Sequence, residues 1–187
     1  GFEALKTFLP PPARRAMVFC DPSYEMKSDY GRVATCMADA LKRFATGTYV
    51  VWYPIIPRPE AHDLPRKLKT LAVKSGRSWL NAALTVKSSK ITTDTSGETV
   101  RPGLPASGMF IINPPHTLKA GLQAALPQMV ALLGQDRNAG FTLEHGGRGR
   151  AARRLAGLRR LARMFSCLYR RSELWQGCLI PQAPGCP

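Results

Sequence analysis

The apolar run that ends at Asp21 and Pro22 constrains the fold of this chain more than any other stretch. Residues 16–20 are apolar and predict a buried strand. A carboxylate and a proline follow, and the strand must end there because proline cannot donate to a β-ladder. Ligands of open α/β sheets bind beyond the carboxyl ends of the strands. The sequence therefore predicts a site at Asp21, with a rigid turn and the aromatic Tyr24 beside it.

The turn Asp21-Pro22-Ser23-Tyr24 resembles the Asp-Pro-Pro-Tyr motif of enzymes that methylate an exocyclic amino group of a base. The amino nitrogen of adenine is a poor nucleophile because its lone pair is delocalised into the ring. Acceptors must hold its hydrogens, and the Asp21 carboxylate and the Pro22 carbonyl oxygen would do so from fixed positions. The Tyr24 ring would receive the unstacked base. These four residues alone are equally compatible with an ordinary turn after a strand.

The charge of the chain indicates a polyanionic partner. Its 187 residues are 44% hydrophobic, which is typical of globular proteins, but the net charge is +15. Nucleic acid is the first candidate and an acidic membrane surface the second. No apolar run approaches the roughly 18 residues of a membrane span, so we expect none. No basic segment followed by an apolar one is visible, so we expect no signal peptide. The first residue is Gly1 rather than Met, which predicts a truncated start.

The cysteines and histidines favour neither a disulfide framework nor a metal site. The five cysteines are an odd number without a C-x-x-C pair, and the three histidines are scattered. This pattern predicts reduced thiols in a cytoplasmic protein and no bound metal. Hydrolase and NTPase functions have no support, because G-x-S-x-G and P-loop motifs are absent.

Hydrophobic periodicity predicts an α/β fold with a parallel strand, helix, strand crossover at its start. Helices are expected at residues 1–9, 29–44, 60–71 and 117–133. The second should bury an apolar stripe on one side, formed by Tyr30, Val33, Met37, Leu41 and Phe44. Strands are expected at residues 16–20, 48–53, 79–87, 108–112 and 141–144. Pro54 should end the second strand, Thr117 should cap the last helix, and Pro127 should kink or divide that helix. Residues 88–107 should form a long mobile loop.

A second turn, Asn113-Pro114-Pro115-His116, resembles the Asn-Pro-Pro-aromatic version of the same motif. Only one of the two turns can be catalytic in a single domain. A catalytic Asn113 would require a glycine-rich cofactor loop earlier in the chain, and none is present. We therefore favour Asp21. Asn113 is then either a substrate-binding residue in a turn at the same mouth or a plain strand terminator before a helix.

Several motifs in order resemble the bacterial 23S rRNA adenine-N6 methyltransferase family, once described as a protein for use of external DNA as a nutrient. The likeness covers roughly residues 1–145 and includes Gly1-Phe2-Glu3-Ala4-Leu5, Leu9-Pro10-Pro11-Pro12, the Asp21 turn with Asp29-Tyr30, Arg43-Phe44-Ala45-Thr46-Gly47-Thr48-Tyr49, Trp52-Tyr53-Pro54, and Ser107-Gly108-Met109-Phe110 with Asn113-Pro114-Pro115. It implies part of a Rossmann-like class I methyltransferase sheet with flanking helices. It also implies S-adenosylmethionine as donor and 23S rRNA as partner, in a protein that is a cytoplasmic monomer at full length.

The resemblance assigns roles residue by residue. Asp21 matches the family's catalytic aspartate, which also lies close to the cofactor, Pro22 matches the residue whose carbonyl holds the amine, and Tyr24 matches the stacking aromatic. Gly1 matches the second residue of an Asp-Gly pair that contacts the adenosine end of the cofactor. The family's cofactor loop precedes the point where this chain starts. Residues 1–145 are therefore expected to be the C-terminal part of a methyltransferase domain, with an exposed sheet edge, low stability and little cofactor affinity.

Residues 146–187 differ from the rest of the chain in composition. They contain nine arginines, no lysine and one acid, and so carry +8 of the net charge. Residues 151–169 have helical periodicity, which predicts a basic tail that is helical in part or disordered. Three interpretations remain open for this tail: translation past a damaged stop site, binding to RNA phosphates, and binding to an anionic membrane surface.

Three functions remain open at this point. The first is S-adenosylmethionine-dependent N6-methylation of an adenine in 23S rRNA. The second is N6-methylation of adenine in DNA, because the motif contacts the base and not the sugar. The third is a non-catalytic, basic RNA-binding remnant, which the missing cofactor loop favours.

Overall fold

A computed structural model describes residues 2–90, 92–93, 99–100 and 103–147 of the chain. These residues belong to one structural unit that ends at Gly147. The predictions for Gly1, for much of the loop at residues 88–107 and for the tail from residue 148 onward lie outside the described residues.

The described residues form four helices: α1 (Ala4–Phe8), α2 (Lys27–Arg43), α3 (Pro59–Lys74) and α4 (Leu118–Leu133). Thr117 occupies the N-cap position of α4, but its side chain makes no capping hydrogen bond, so that part of the prediction is wrong. Pro127 lies inside α4 and does not divide it. Helices in folded proteins are stabilised mainly by packing, and α4 is held against the sheet through the buried Leu126.

The strands are β1 (Met17–Cys20), β2 (Thr48–Ile55), β3 (Trp79–Thr85), β4 (Thr92–Thr93), β5 (Thr99–Val100), β6 (Ala106–Ile112) and β7 (Gly140–Gly146). Five of them form one sheet in the order β1-β2-β6-β3-β7, and β4 pairs with β5 separately. β1 and β2 are parallel, as the predicted crossover requires, and the other pairs in the large sheet are antiparallel.

The prediction that Pro54 ends the second strand is wrong. β2 continues through Pro54 to Ile55, and Pro54 pairs with Ser107 of β6. β1 pairs only with residues 48–51 of β2. Pro54 therefore lies where β2 has one neighbour, a position in which the missing N–H costs no second ladder bond.

The two faces of the sheet are covered by different helices. One face packs against α2 and α3, and its core includes Tyr49, Val51 and Tyr53 from alternate positions of β2. The apolar stripe predicted for α2 is buried in the same core. The opposite face packs against α4 through a smaller cluster of Leu80, Ala82, Ile111 and Leu126.

β1 lies at the edge of the sheet, and the prediction of a buried strand is wrong, because two of its residues are exposed and two are only partly buried. Val18 and Cys20 pack against the larger core, whereas Met17 is 71% and Phe19 is 54% exposed on the other face. The expected exposed sheet edge is confirmed. In the part of the chain that the structure describes, no helix is both long and apolar enough to cross a bilayer.

Candidate functional site

The strand register separates the two candidate turns. Cys20 is the last residue of β1 and pairs with Val51, so Asp21 lies at the carboxyl end of β1, beside the middle of β2. β6 runs in the opposite direction, and its last residue, Ile112, pairs with Tyr49 near the start of β2. Asn113 therefore lies at the other end of the sheet, about 16 Å from Asp21 by standard strand spacings. The prediction that both turns line one mouth is wrong, because β1 and β6 are antiparallel to each other.

Asn113 is committed to structural hydrogen bonds. Its side-chain nitrogen donates to the carbonyl oxygens of Ala45 and Gly47, at 3.0 and 2.8 Å, in the connection between α2 and β2. Its backbone N–H donates to Ser78 and its carbonyl accepts from the Thr48 hydroxyl. Its φ of 54° is a conformation that asparagine tolerates better than most residues. These bonds favour the strand-terminator interpretation, and the substrate-binding role of Asn113 stays a prediction.

A cleft of about 410 Å³ opens beside the Asp21 turn. Asp21 is exposed and Pro22 is half-buried, and both line this cleft. Phe2 and Leu5 contribute apolar surface from the N-terminal segment, and Arg32 contributes a cation from α2. This size and this mixture of apolar surface with a few polar groups are typical of a small-molecule site.

Tyr24 is buried behind the turn, with 2% of its surface exposed. Its hydroxyl donates to the Trp52 carbonyl at 2.6 Å, and its ring centroid lies 4.7 Å from that of Tyr30. Burial, and then the nearby Cys20, raises the pKa of the Tyr24 hydroxyl, which therefore stays protonated as a donor. The ring faces other aromatic side chains, so a base can stack on it only after the ring or the turn moves. The stacking role stays a prediction.

Cys20 and Cys36 are free thiols on the same cleft. Burial, and to a smaller extent the neighbouring Cys36 and Asp21, raise the pKa of Cys20 to about 11. Burial also raises the pKa of Cys36. Both thiols are consequently protonated at neutral pH and are poor nucleophiles. No group of three or more potential metal ligands occurs within the described ranges.

Sequence reasoning missed Arg58, which follows β2 and precedes α3. Its Nη1 atom donates to the carbonyl oxygens of Tyr24 and Glu25, both at 3.4 Å. The usable signal was its position, because Arg58 follows β2, the strand that pairs with β1 and continues beyond the end of β1. No motif in the sequence connects it to a turn 34 residues away.

The comparisons with known proteins identify the family. The family model described as "Ribosomal RNA large subunit methyltransferase D, RlmJ" matches residues 1–145. This chain belongs to the RlmJ family. The predicted family is confirmed, and the sheet with its flanking helices is the predicted α/β fold.

Two curated relatives are each named "Ribosomal RNA large subunit methyltransferase J". The protein of Haemophilus influenzae is 35% identical over 144 residues, which are 77% of this chain and 47% of the relative. The protein of Escherichia coli K12 is 39% identical over 127 residues, which are 68% of this chain and 41% of the relative. The chain therefore spans less than half the length of these relatives.

A solved structure has the same fold as the described residues. It is protein LPL1258 from Legionella pneumophila, of the family DUF519, with a TM-score of 0.64 and 27% sequence identity. The match covers 78% of this chain and 49% of the other. In structure as in sequence, this chain therefore corresponds to about half of a larger protein.

Proposed function

We propose that this chain forms part of an enzyme that transfers a methyl group from S-adenosylmethionine to N6 of an adenine in 23S rRNA. The proposal rests on one observation: Asp21 and Pro22 follow the parallel strand β1 directly and line an open cleft. This turn lies in a chain whose family relatives are named as ribosomal RNA methyltransferases. Residues 1–145 would be the C-terminal part of the methyltransferase domain. Such an enzyme would work in the cytoplasm as a monomer.

The residues of the turn can accept hydrogen bonds from an amino group. Asp21 offers carboxylate oxygens and Pro22 offers a carbonyl oxygen, and together they can accept both hydrogens of the adenine amine. Positive charge develops on that nitrogen as it becomes tetrahedral and forms its bond to the methyl carbon, and fixed negative and partially negative oxygens stabilise that charge. The proton then leaves towards Asp21 or solvent. The Tyr24 side chain would form one wall of the base pocket once the ring or the turn has moved.

The cleft also suits one portion of the methyl donor. Phe2 and Leu5 give an apolar surface for an adenosine ring, and Asp21 and Arg32 give polar contacts at the cleft wall. When bound, S-adenosylmethionine supplies an electrophilic methyl group on a sulfonium. We also propose, from the family resemblance, that Gly1 contacts the adenosine end of the donor.

A substrate panel tests this proposal. The chain would be assayed alone and joined to the part of the Haemophilus influenzae relative that it does not cover, with labelled S-adenosylmethionine and either protein-free 23S rRNA or duplex DNA. We expect the joined protein to label N6 of adenine in rRNA and the chain alone to have little activity. Labelling of duplex DNA but not of rRNA would favour a DNA methyltransferase. RNA binding by the joined protein without labelling would favour a non-catalytic remnant.

A further inference from the structure

The turn after Asp21 is tied at three points to β2 and to the segment that follows it. The Tyr24 hydroxyl donates to the Trp52 carbonyl, and Arg58 Nη1 donates to the carbonyl oxygens of Tyr24 and Glu25. Tyr24 has a φ of 56°. A bulky residue keeps this sparsely populated conformation only where its surroundings hold it. Both ends of Tyr24, the hydroxyl and the carbonyl, are held by residues 52–58.

The polar groups around Arg58 are incompletely satisfied. The Tyr30 hydroxyl and Glu60 Oε2 are buried atoms without a hydrogen-bond partner in the described structure. The other carboxylate oxygen of Glu60 lies 3.8 Å from Lys27 Nζ. Burial keeps the pKa of Tyr30 above its ordinary value, and the nearby Arg58 opposes part of that rise. Arg58 thus acts electrostatically on a member of this polar cluster and donates hydrogen bonds to the backbone of the turn.

We propose that Arg58 is a positioning residue that fixes the backbone of the Asp21 turn for methyl transfer. This inference rests on the function proposed above. A planar guanidinium can donate to adjacent acceptors from one fixed orientation, which a flexible ammonium cannot do as well. The direction of the Pro22 carbonyl depends on the backbone of the residues that follow it, and Arg58 holds two of these. An error of about 1 Å in the placement of catalytic groups can lower a rate by about 100-fold.

The kinetic test compares Arg58→Gln, Arg58→Lys and a matched control, Arg66→Gln. Arg66 lies on α3, the helix that Arg58 precedes; its side chain is 79% exposed and pairs only with Asp63 among the described residues. In the joined protein, we expect Arg58→Gln to lower kcat for rRNA methylation by about 10- to 100-fold. We expect KM for S-adenosylmethionine to change by less than about twofold, because the cleft wall is unaltered. Arg58→Lys should recover part of the loss, and Arg66→Gln should behave as wild type.

A variant that merely folds less well would lose activity in proportion to its loss of folded protein. An unchanged kcat in Arg58→Gln would overturn the proposal. So would a fall in activity that matches the loss of folded protein, or an Arg58→Lys variant that is no better than Arg58→Gln.

Hydrogen exchange in the 187-residue chain gives a readout that does not depend on activity. We expect Arg58→Gln to speed amide exchange at residues 23–26, while exchange in the interior of α2 and β2 stays within the range of the Arg66→Gln control. Unchanged exchange at residues 23–26 would contradict the positioning role even if rRNA is methylated. If the joined protein does not methylate rRNA but the turn still loosens, the proposed function fails and the structural role of Arg58 remains.

Discussion

The two turns that follow β1 and β6 have closely related sequences but different surroundings. Each begins with Asp or Asn followed by Pro, and each contains one residue with positive φ, Tyr24 in the first and Asn113 in the second. The Asn113 side chain donates to two backbone carbonyls of a neighbouring connection. Asp21 instead is exposed at the edge of a cleft. The comparison teaches that the motif determines a local turn, whereas the direction of the preceding strand determines which end of the sheet the turn occupies.

Removing the carboxylate at the first turn should have the largest effect. In the joined protein, Asp21→Ala should lower rRNA methylation by about 100-fold or more, because an oxygen that stabilises charge in the transition state is lost. Asp21→Asn should retain part of the activity, since one oxygen acceptor remains. Asp63→Ala, in an exposed carboxylate of α3, is the matched control. If Asp21→Ala retained full kcat, the catalytic site would not be at this turn.

The second turn should respond in stability rather than in catalysis. Asn113→Ala leaves two carbonyl oxygens without their donor and places alanine at a positive φ, so we expect a loss of about 2–4 kcal/mol in the free energy of unfolding. Urea denaturation of the 187-residue chain measures this, with Asn138→Ala at an exposed position as control. A drop in kcat without a drop in stability would reverse the roles assigned to the two turns.

A smaller effect is expected at the aromatic residue of the first turn. Tyr24→Phe removes the hydroxyl that donates to the Trp52 carbonyl but keeps the ring, so the free energy of unfolding should fall by about 1 kcal/mol. The same denaturation experiment measures the change. A loss several times larger would contradict the view that the hydroxyl contributes only one hydrogen bond to the turn.

The smallest effect concerns the thiol beside the carboxylate. Since the pKa of Cys20 is raised to about 11, its alkylation by iodoacetamide should be slow at pH 7.5 and should accelerate as the pH approaches that value. Asp21→Asn removes a negative charge that raises this pKa, so the acceleration should begin at a lower pH. Asn113→Asp, at the far end of the sheet, should leave the profile unchanged. Equal shifts in both variants would contradict the separation of the turns.

Local periodicity was sufficient to predict most elements of the fold. The spacing of Val33, Met37 and Leu41 predicted the buried stripe of α2 because a helix that packs on a sheet must bury one face. The limits of β2 and the continuity of α4 were missed, since tertiary packing outweighed the local effect of Pro54 and Pro127. The exposure of Met17 and Phe19 depends on what lies beside β1, which its own sequence does not encode.

The site was only partly accessible to sequence reasoning. Asp21, Pro22 and Tyr24 are adjacent in the chain, so a single motif located them together. Their relation to Asn113 depends on strand direction and register, which a turn motif does not contain. Arg58 contacts the turn from the connection between β2 and α3. It donates to backbone carbonyls, which every residue type has, so no side-chain pattern in the turn marked it.

The central claim is that the amine of the target adenine is held at the Asp21 turn. A crystal structure of the joined protein with adenosine and the demethylated cofactor measures this directly. The account predicts that N6 of the adenosine lies about 3 Å from both a carboxylate oxygen of Asp21 and the Pro22 carbonyl oxygen. An adenosine bound with its N6 at the opposite end of the sheet, beside Asn113, would contradict it.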